Sequence, residues 1–206
     1  FEANAIRKGR ALEWARINLE CNDEYILYID EDTLIKNFDG IPDYDMIQFR
    51  EKPIYTGSIT TYLTEVYRMG YQYEQLSFGF YKYPIYAWGG GIAIRNSVEE
   101  KVTWDVESIT EDTSFAWRAA EINDGISFTV VNEEFYNQSP PSIMALLKQR
   151  RRWASGTIKD AWILSTGYKF FVYARLFTWI YSPFVFLNVH CIVVHYSQVL
   201  LYYNLY

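Results

Sequence analysis

The chain has 206 residues, of which 50% are apolar, 19% aromatic and 21% charged. This composition excludes disorder and can fill the core of one domain of ordinary size. The net charge of −6 joins two unlike parts: residues 1–147 carry 12 basic and 24 acidic side chains, while residues 148–175 carry seven basic ones against Asp160 alone. An acidic body without a basic stripe argues against a nucleic-acid partner. The only histidines, His190 and His195, lie in the last 31 residues, which hold no charged side chain. The charged part therefore lacks an imidazole for Ser-His-Asp, Cys-His or HExxH chemistry. Cys21 and Cys191 suggest neither a disulfide framework nor a thiolate metal site. Any catalysis must use carboxylates, a bound metal, Arg and Lys, or backbone groups.

Taken in order, Lys8 to Leu19 places Ala11, Leu12, Ala15 and Leu19 at helical spacing. Tyr25 to Ile29 is a compact apolar run that predicts a buried strand, and a helix feeding such a strand is the unit of a parallel α/β sheet. Asp45 to Phe49 predicts a second strand. Ser58 to Met69 predicts a helix from Ile59, Tyr62, Leu63 and Val66 at i, i+3, i+4 and i+7. Ile85 to Trp88 and Ile92 to Arg95 read as short strands flanking Gly89-Gly90-Gly91. Thr113 to Ile122 is helical, Gly125 stops it, and Ile126 to Val131 is a further strand. Ser139-Pro140-Pro141-Ser142 opens a helix from Ile143 through Trp153 and beyond.

The run from Leu176 to Leu201 has no charge and is long enough to span a bilayer, with Trp179, Tyr181, Tyr202, Tyr203 and Tyr206 at its ends. Pro183 also allows an interfacial helix followed by a span, and a buried core helix is the alternative. Basic residues just before this run place the charged part on the cytoplasmic face of a membrane. The expected division is a catalytic domain over 1–169 and an interfacial or transmembrane segment over 170–206.

Three groups of residues carry chemistry. Asp30-Glu31-Asp32 follows a buried strand, where ligands bind in open α/β sheets. Asp30 and Asp32 can turn towards one hard divalent cation, Mg²⁺ or Mn²⁺, which takes further oxygens from substrate phosphates. A solvated acidic turn is the plainer alternative. Glu111-Asp112 opens a helix, where Asp112 either serves the helix terminus or acts as a general base towards an acceptor hydroxyl. Gln149, Arg152 and Trp153 share one helical face, an amide, a guanidinium and an indole suited to phosphate and sugar. Arg150 and Arg151 suit lipid headgroups.

The order D-x-D, T-E-D, Q-x-x-R-W and then an apolar run resembles membrane-bound family 2 glycosyltransferases of the cellulose-synthase-like type. Within them, Lys8 to Leu12, Ile29 to Leu34, Glu111 to Phe115 and Gln149 to Trp153 resemble the egghead-type β-1,4-mannosyltransferases. The resemblance implies a GT-A fold, a Rossmann-like mixed sheet with flanking helices. It also implies inverting, metal-dependent transfer of mannose or glucose from a nucleoside diphosphate sugar (GDP-mannose or UDP-glucose) to a glycan or glycolipid acceptor at the membrane. Asp30 and Asp32 are then expected to hold Mg²⁺ or Mn²⁺, Asp112 to be the base and Glu111 its supporting neighbour. Lys8 would approach the nucleotide, Gly90 and Gly91 would let backbone come close to the acceptor sugar, and Gln149, Arg152 and Trp153 would line the acceptor and the departing diphosphate. Family members begin with a strand and a nucleotide-binding loop that nothing before Phe1 supplies, so a GT-A domain lacking its N-terminal strand is expected. The alternatives are a non-catalytic membrane-associated module retaining this fold, and a phosphoryl-transfer enzyme, for which no P-loop is present.

Overall fold

The computed structural model describes residues 1–77 and 83–177. Among these described residues, five strands and six helices form a mixed α/β fold. In chain order they are α1 (Arg7–Asn18), β1 (Tyr25–Tyr28), β2 (Leu34–Ile35), β3 (Met46–Ile54), α2 (Ile59–Ser77), β4 (Ile92–Arg95), α3 (Asn96–Val102), α4 (Glu111–Ile122), β5 (Phe128–Gln138), α5 (Ile143–Asp160), a 3₁₀ turn (Ala161–Ile163) and α6 (166–177). The strand order is β1-β4-β3-β5-β2. Only β3 and β5 run parallel; the other pairs are antiparallel. β1 therefore departs from the expected buried parallel strand: among the described residues it pairs with β4 alone, and all four of its residues are half-buried.

The two central strands are longer than their apolar runs suggest. β3 and β5 stay paired from Met46↔Phe128 to Ile54↔Gln138, with an irregularity between Phe49 and Arg50. One sheet face carries Met46, Ile92, Ile94 and Phe128 into a core completed by Trp104, Phe115 and Trp117. The other buries Ile47, Phe49, Ala93 and Phe135, with Phe49 and Phe135 stacked at 4.4 Å. α4 is buried almost all round, from Thr113 through Trp117 and at Ala119 and Ala120. α6 adds Tyr168 and Val172 to the same core.

Both α1 and α2 form where the periodicity predicts, but each turns a polar stripe inward. In α1 the buried residues are Gly9 and Glu13, and Leu19 is 60% exposed. In α2, Ile59, Leu63 and Val66 are exposed, whereas Thr61, Glu65 and Gln72 are buried. The charges are tolerated because each is paired: Glu13 binds Arg16 and the Trp104 N–H (2.8 Å), and Glu65 binds two arginines.

Ile85 to Trp88 is not a strand. Its backbone is irregular yet largely buried, and side chains satisfy its polar groups. The Gln48 amide accepts from Trp88 N–H (2.9 Å) and donates to the Trp88 and Gly91 carbonyls (both 2.8 Å). Thr113 Oγ1 accepts from Ala87 N–H and donates to its carbonyl, while Trp117 Nε1 reaches the Pro84 and Ile85 carbonyls. Beyond Gln48 this segment takes the place of a strand beside β3, with Phe49 N–H donating to Gly91 O (3.0 Å).

No helix among the described residues is long and apolar enough to cross a membrane. The membrane helix expected over Leu176–Leu201 lies, beyond residue 177, outside the described residues. Replacing Gln48 by Leu orphans the buried N–H and carbonyl of Trp88 and takes one of two donors from the Gly91 carbonyl. The expected loss of stability is about 3 kcal/mol, read as a lower urea midpoint at unchanged slope.

Candidate active site

A cavity of about 480 Å³ opens where the C-terminal end of β1, the first turn of α1, the Gly89-Gly90 turn, the start of α4 and the middle of α5 converge. Lys8, Asp30, Asp32, Gly90, Glu111, Asp112, Gln149, Arg152 and Trp153 all line it. Gly91 does not: it is buried against Phe135, and a Cβ there would fall 2.4 Å from that ring. Its small size serves core packing, and Gly90 is likewise hemmed in: a Cβ there would fall 2.1 Å from Asn137 Nδ2 and 2.3 Å from Glu51 Oε1.

One end of the cavity is acidic. Lys8 Nζ is paired with Asp30 and lies 3.4 Å from the Gly89 carbonyl. A Cβ on Gly89 would lie 2.7 Å from Lys8 Nζ, 3.5 Å from Asp112 Oδ2 and 3.7 Å from Asp30 Oδ1, so these three groups surround one backbone position that only glycine leaves open. Asp112 sits in the first turn of α4 and accepts the Thr113 N–H (2.7 Å). It thus serves the helix terminus and faces the cavity as well. Burial and then the charge of Glu111 push its carboxyl up to about 7, against the pull of the Thr113 N–H and Lys8. Burial likewise raises Glu111, with Lys8 and Arg152 opposing. Burial disfavours the Lys8 ammonium, yet Asp30, Asp112 and Glu111 together hold its pKa above the ordinary value.

The donor set suits a hard divalent ion. Asp30 is half-buried, Asp32 is exposed, and both face the cavity, which matches an ion bound by one or two carboxylates and completed by substrate phosphates. Among the described residues no group of three His, Cys, Asp or Glu encloses an ion.

The other end is cationic and aromatic. Its polar wall includes residues that the sequence did not single out. Glu51 is buried on β3 and accepts from Arg68 Nη2 (2.9 Å), Gln72 Nε2 (3.1 Å) and Asn137 Nδ2 (2.7 Å). The Thr33 hydroxyl bridges Asn137 Oδ1 (2.6 Å) and the Gly90 carbonyl (3.1 Å). Asn137, formally in a glycosylation sequon, is thus engaged inside the fold. Arg150 is not presented to a lipid surface as expected: it is half-buried and paired with Glu65, and burial pushes its pKa down to about 10. Arg151 and Arg152 are exposed.

α5 is fixed to the start of α4. Asp160 is buried and accepts from Ser108 Oγ (2.5 Å) and Thr110 Oγ1 (2.8 Å), and Gly156 packs against Thr110 so closely that a Cβ would come within 2.7 Å.

A carboxylate pair at a helix start, a D-x-D after a strand, and an Arg-Trp face thus share one cavity on a mixed α/β fold. Residues 25–206 match the model of glycosyl transferase family group 2, and the chain belongs to this family. It is 24% identical over 200 residues to beta-1,4-mannosyltransferase egh of Drosophila melanogaster, covering 87% of this chain and 43% of that protein. It is 27% identical over 204 residues to beta-1,4-mannosyltransferase bre-3 of Caenorhabditis elegans, covering 88% and 44%. The counterpart in Caenorhabditis briggsae is 26% identical over the same length. The chain thus spans less than half the length of these relatives.

The raised pKa of Asp112 has a stability consequence. A carboxyl whose folded pKa lies above its ordinary 3.8 favours the fold below that value, and the favour is lost as pH rises towards about 7. Asp112→Asn removes this dependence. The variant should match the wild type near pH 4 and melt roughly 5 °C higher near pH 8, measured by scanning calorimetry.

Proposed function

We propose that the chain carries the catalytic site of an inverting hexosyltransferase with a GT-A fold, which moves mannose from a nucleoside diphosphate sugar to a hydroxyl of a glycan or glycolipid. The observation that carries this reading is Asp112, a carboxyl lifted towards neutrality beside Lys8 and Asp30, in a cavity whose other wall presents Arg152 and Trp153. Family membership supports the reaction class, and the mannosyltransferase names of the relatives support the sugar. GDP-mannose is the proposed donor, and UDP-glucose is the competitor against which it is tested.

In this scheme the acceptor sugar rests on Trp153 and the donor lies towards Asp30 and Lys8. The acceptor hydroxyl oxygen attacks the anomeric carbon, its proton passes to an Asp112 oxygen, and the bond from that carbon to the diphosphate breaks. The nucleoside diphosphate leaves with the bonding electrons, and the configuration inverts. Asp30 and Asp32 would hold Mg²⁺ or Mn²⁺, which when bound supplies positive charge to the diphosphate. Lys8 and Arg152 contribute the protein's own positive charge to the leaving group. Glu111 keeps Asp112 basic by disfavouring a second negative charge beside it. Gly89 lets Lys8, Asp30 and Asp112 converge on its backbone, beside which the ring would lie.

The protein is further proposed to act at a membrane with this site on the cytoplasmic face. The uncharged run from Leu176 and the basic residues before it support that placement.

The test is transfer by the full chain in membranes to a panel of alkyl glycosides, with GDP-mannose or UDP-glucose and with or without Mn²⁺. Metal-dependent mannosyl transfer is expected, and Asp112→Asn should lower kcat about 10³-fold while leaving the donor's thermal stabilisation intact. Equal loss of donor binding and turnover would reduce Asp112 to a helix-terminus residue. Absence of any transfer would leave a binding module on this fold.

A further inference from the structure

Trp153 does not stand alone in the cavity wall. The guanidinium carbon of Arg150 lies 4.8 Å from its ring centroid and that of Arg68 lies 5.4 Å away, both within cation–π range. Neither arginine is placed by chance. Arg68 Nε donates to Glu65 Oε2 (2.7 Å), and Arg150 Nη2 is paired with Glu65 Oε1. One carboxylate on α2, only 3% exposed, therefore holds two cations from two different helices against one indole. Glu51 takes the remaining edge of Arg68 from β3 (2.9 Å). Two carboxylates and two guanidiniums make an electroneutral cluster, which is the condition for keeping four charges so far from water.

We propose that Glu65 is a positioning residue for sugar recognition: by clamping Arg68 and Arg150 it sets the plane of Trp153, and so the orientation in which an acceptor pyranose stacks. The inference rests on the assignment of Trp153 to the acceptor end made above. A pyranose presents a flat C–H face to an aromatic ring, so a tilt of the indole changes which hydroxyl is turned towards Asp112. Glu65, Arg68, Arg150 and Glu51 pair among themselves, whereas Lys8 and Asp30 pair with each other at the proposed diphosphate end. Loss of Glu65 should therefore weaken the acceptor selectively.

Steady-state kinetics of the full chain in membranes, with the alkyl glycoside that accepts best, provide the test. Glu65→Gln is expected to raise the acceptor KM about tenfold and to lower kcat with it, because the hydroxyl is misaimed, while the donor KM stays within about twofold of wild type. In a Trp153→Ala background the same substitution should add nothing, because its effect passes through the ring. Additive losses in the double variant, an unchanged acceptor KM, or a joint fall in kcat and donor affinity would each overturn the proposal. Should Glu65→Gln fail to fold, Arg150→Gln carries the same measurement with the same expected and contrary outcomes. Failure of the wild-type protein to transfer any hexose would overturn the glycosyltransferase reading and this inference together. Wild-type transfer combined with any of the contrary results overturns this inference alone.

Discussion

A buried stretch of backbone that is neither helix nor strand must find a partner for every polar group, and the segment from Pro84 to Gly91 meets that demand with side chains. Trp117 and Tyr168 take the Pro84 carbonyl, and Trp117 also takes that of Ile85. Thr113 serves both groups of Ala87, Gln48 both of Trp88, Lys8 faces the carbonyl of Gly89, and Thr33 that of Gly90. The donors come from β3, α4, α6, α1 and the β1–β2 turn. Holding this one segment therefore fixes those elements relative to each other, and the position they share is Gly89, next to Lys8, Asp30 and Asp112. The geometry of the acidic end follows from satisfying a backbone.

The same demand explains which parts of the structure the sequence made legible. Ile85 to Trp88 has the composition of a strand, and nothing local reveals that Gln48 and Thr113 replace its ladder. Asp30, Asp112 and the glycine run stood out because a carboxylate after an apolar run and three consecutive glycines are locally unusual, although Gly90 and Gly91 prove to be small for packing reasons. Glu51, Glu65, Arg68 and Asn137 sit inside regular elements, where polar residues ordinarily mark the solvent side. In α2 that convention inverts. Thr61, Glu65, Arg68 and Gln72 follow i, i+4, i+7 and i+11, a polar stripe as regular as the apolar one formed by Ile59, Leu63 and Val66. Periodicity fixes that a helix forms; which stripe faces inward depends on whether partners for the charges exist across the cavity, and β3 and α5 supply them.

Charge is distributed unevenly along the cavity, and this gives the two ends different tasks. Four carboxylates (Asp30, Asp32, Glu111 and Asp112) face the Lys8 ammonium, with Arg152 acting on Glu111 as well, and the surplus of negative charge helps to lift Asp112. The feature that makes Asp112 reluctant to ionise also makes this end attractive to positive charge. At the other end Glu51 and Glu65 are balanced by Arg68 and Arg150, so rigidity is obtained there without a net field, and Arg152 remains as a cation facing the cavity.

In the proposed reaction, proton transfer between an acceptor and Asp112 depends on distance, so the helix that carries Trp153 has to keep its register against the helix that carries Asp112. The fold ties the two together beneath the cavity. Asp160 receives both Ser108 and Thr110 in the turn just before Glu111, and Gly156 allows α5 to approach Thr110 closely. Trp153 lies about two turns before Asp160, and Asp112 two residues after Thr110, so few rotatable bonds separate the anchor from either group. A hydroxyl-to-carboxylate path set by so short a covalent route varies little with motion of the outer helices. On the proposed reading, the buried Asp160 therefore belongs to the same machinery as Asp112.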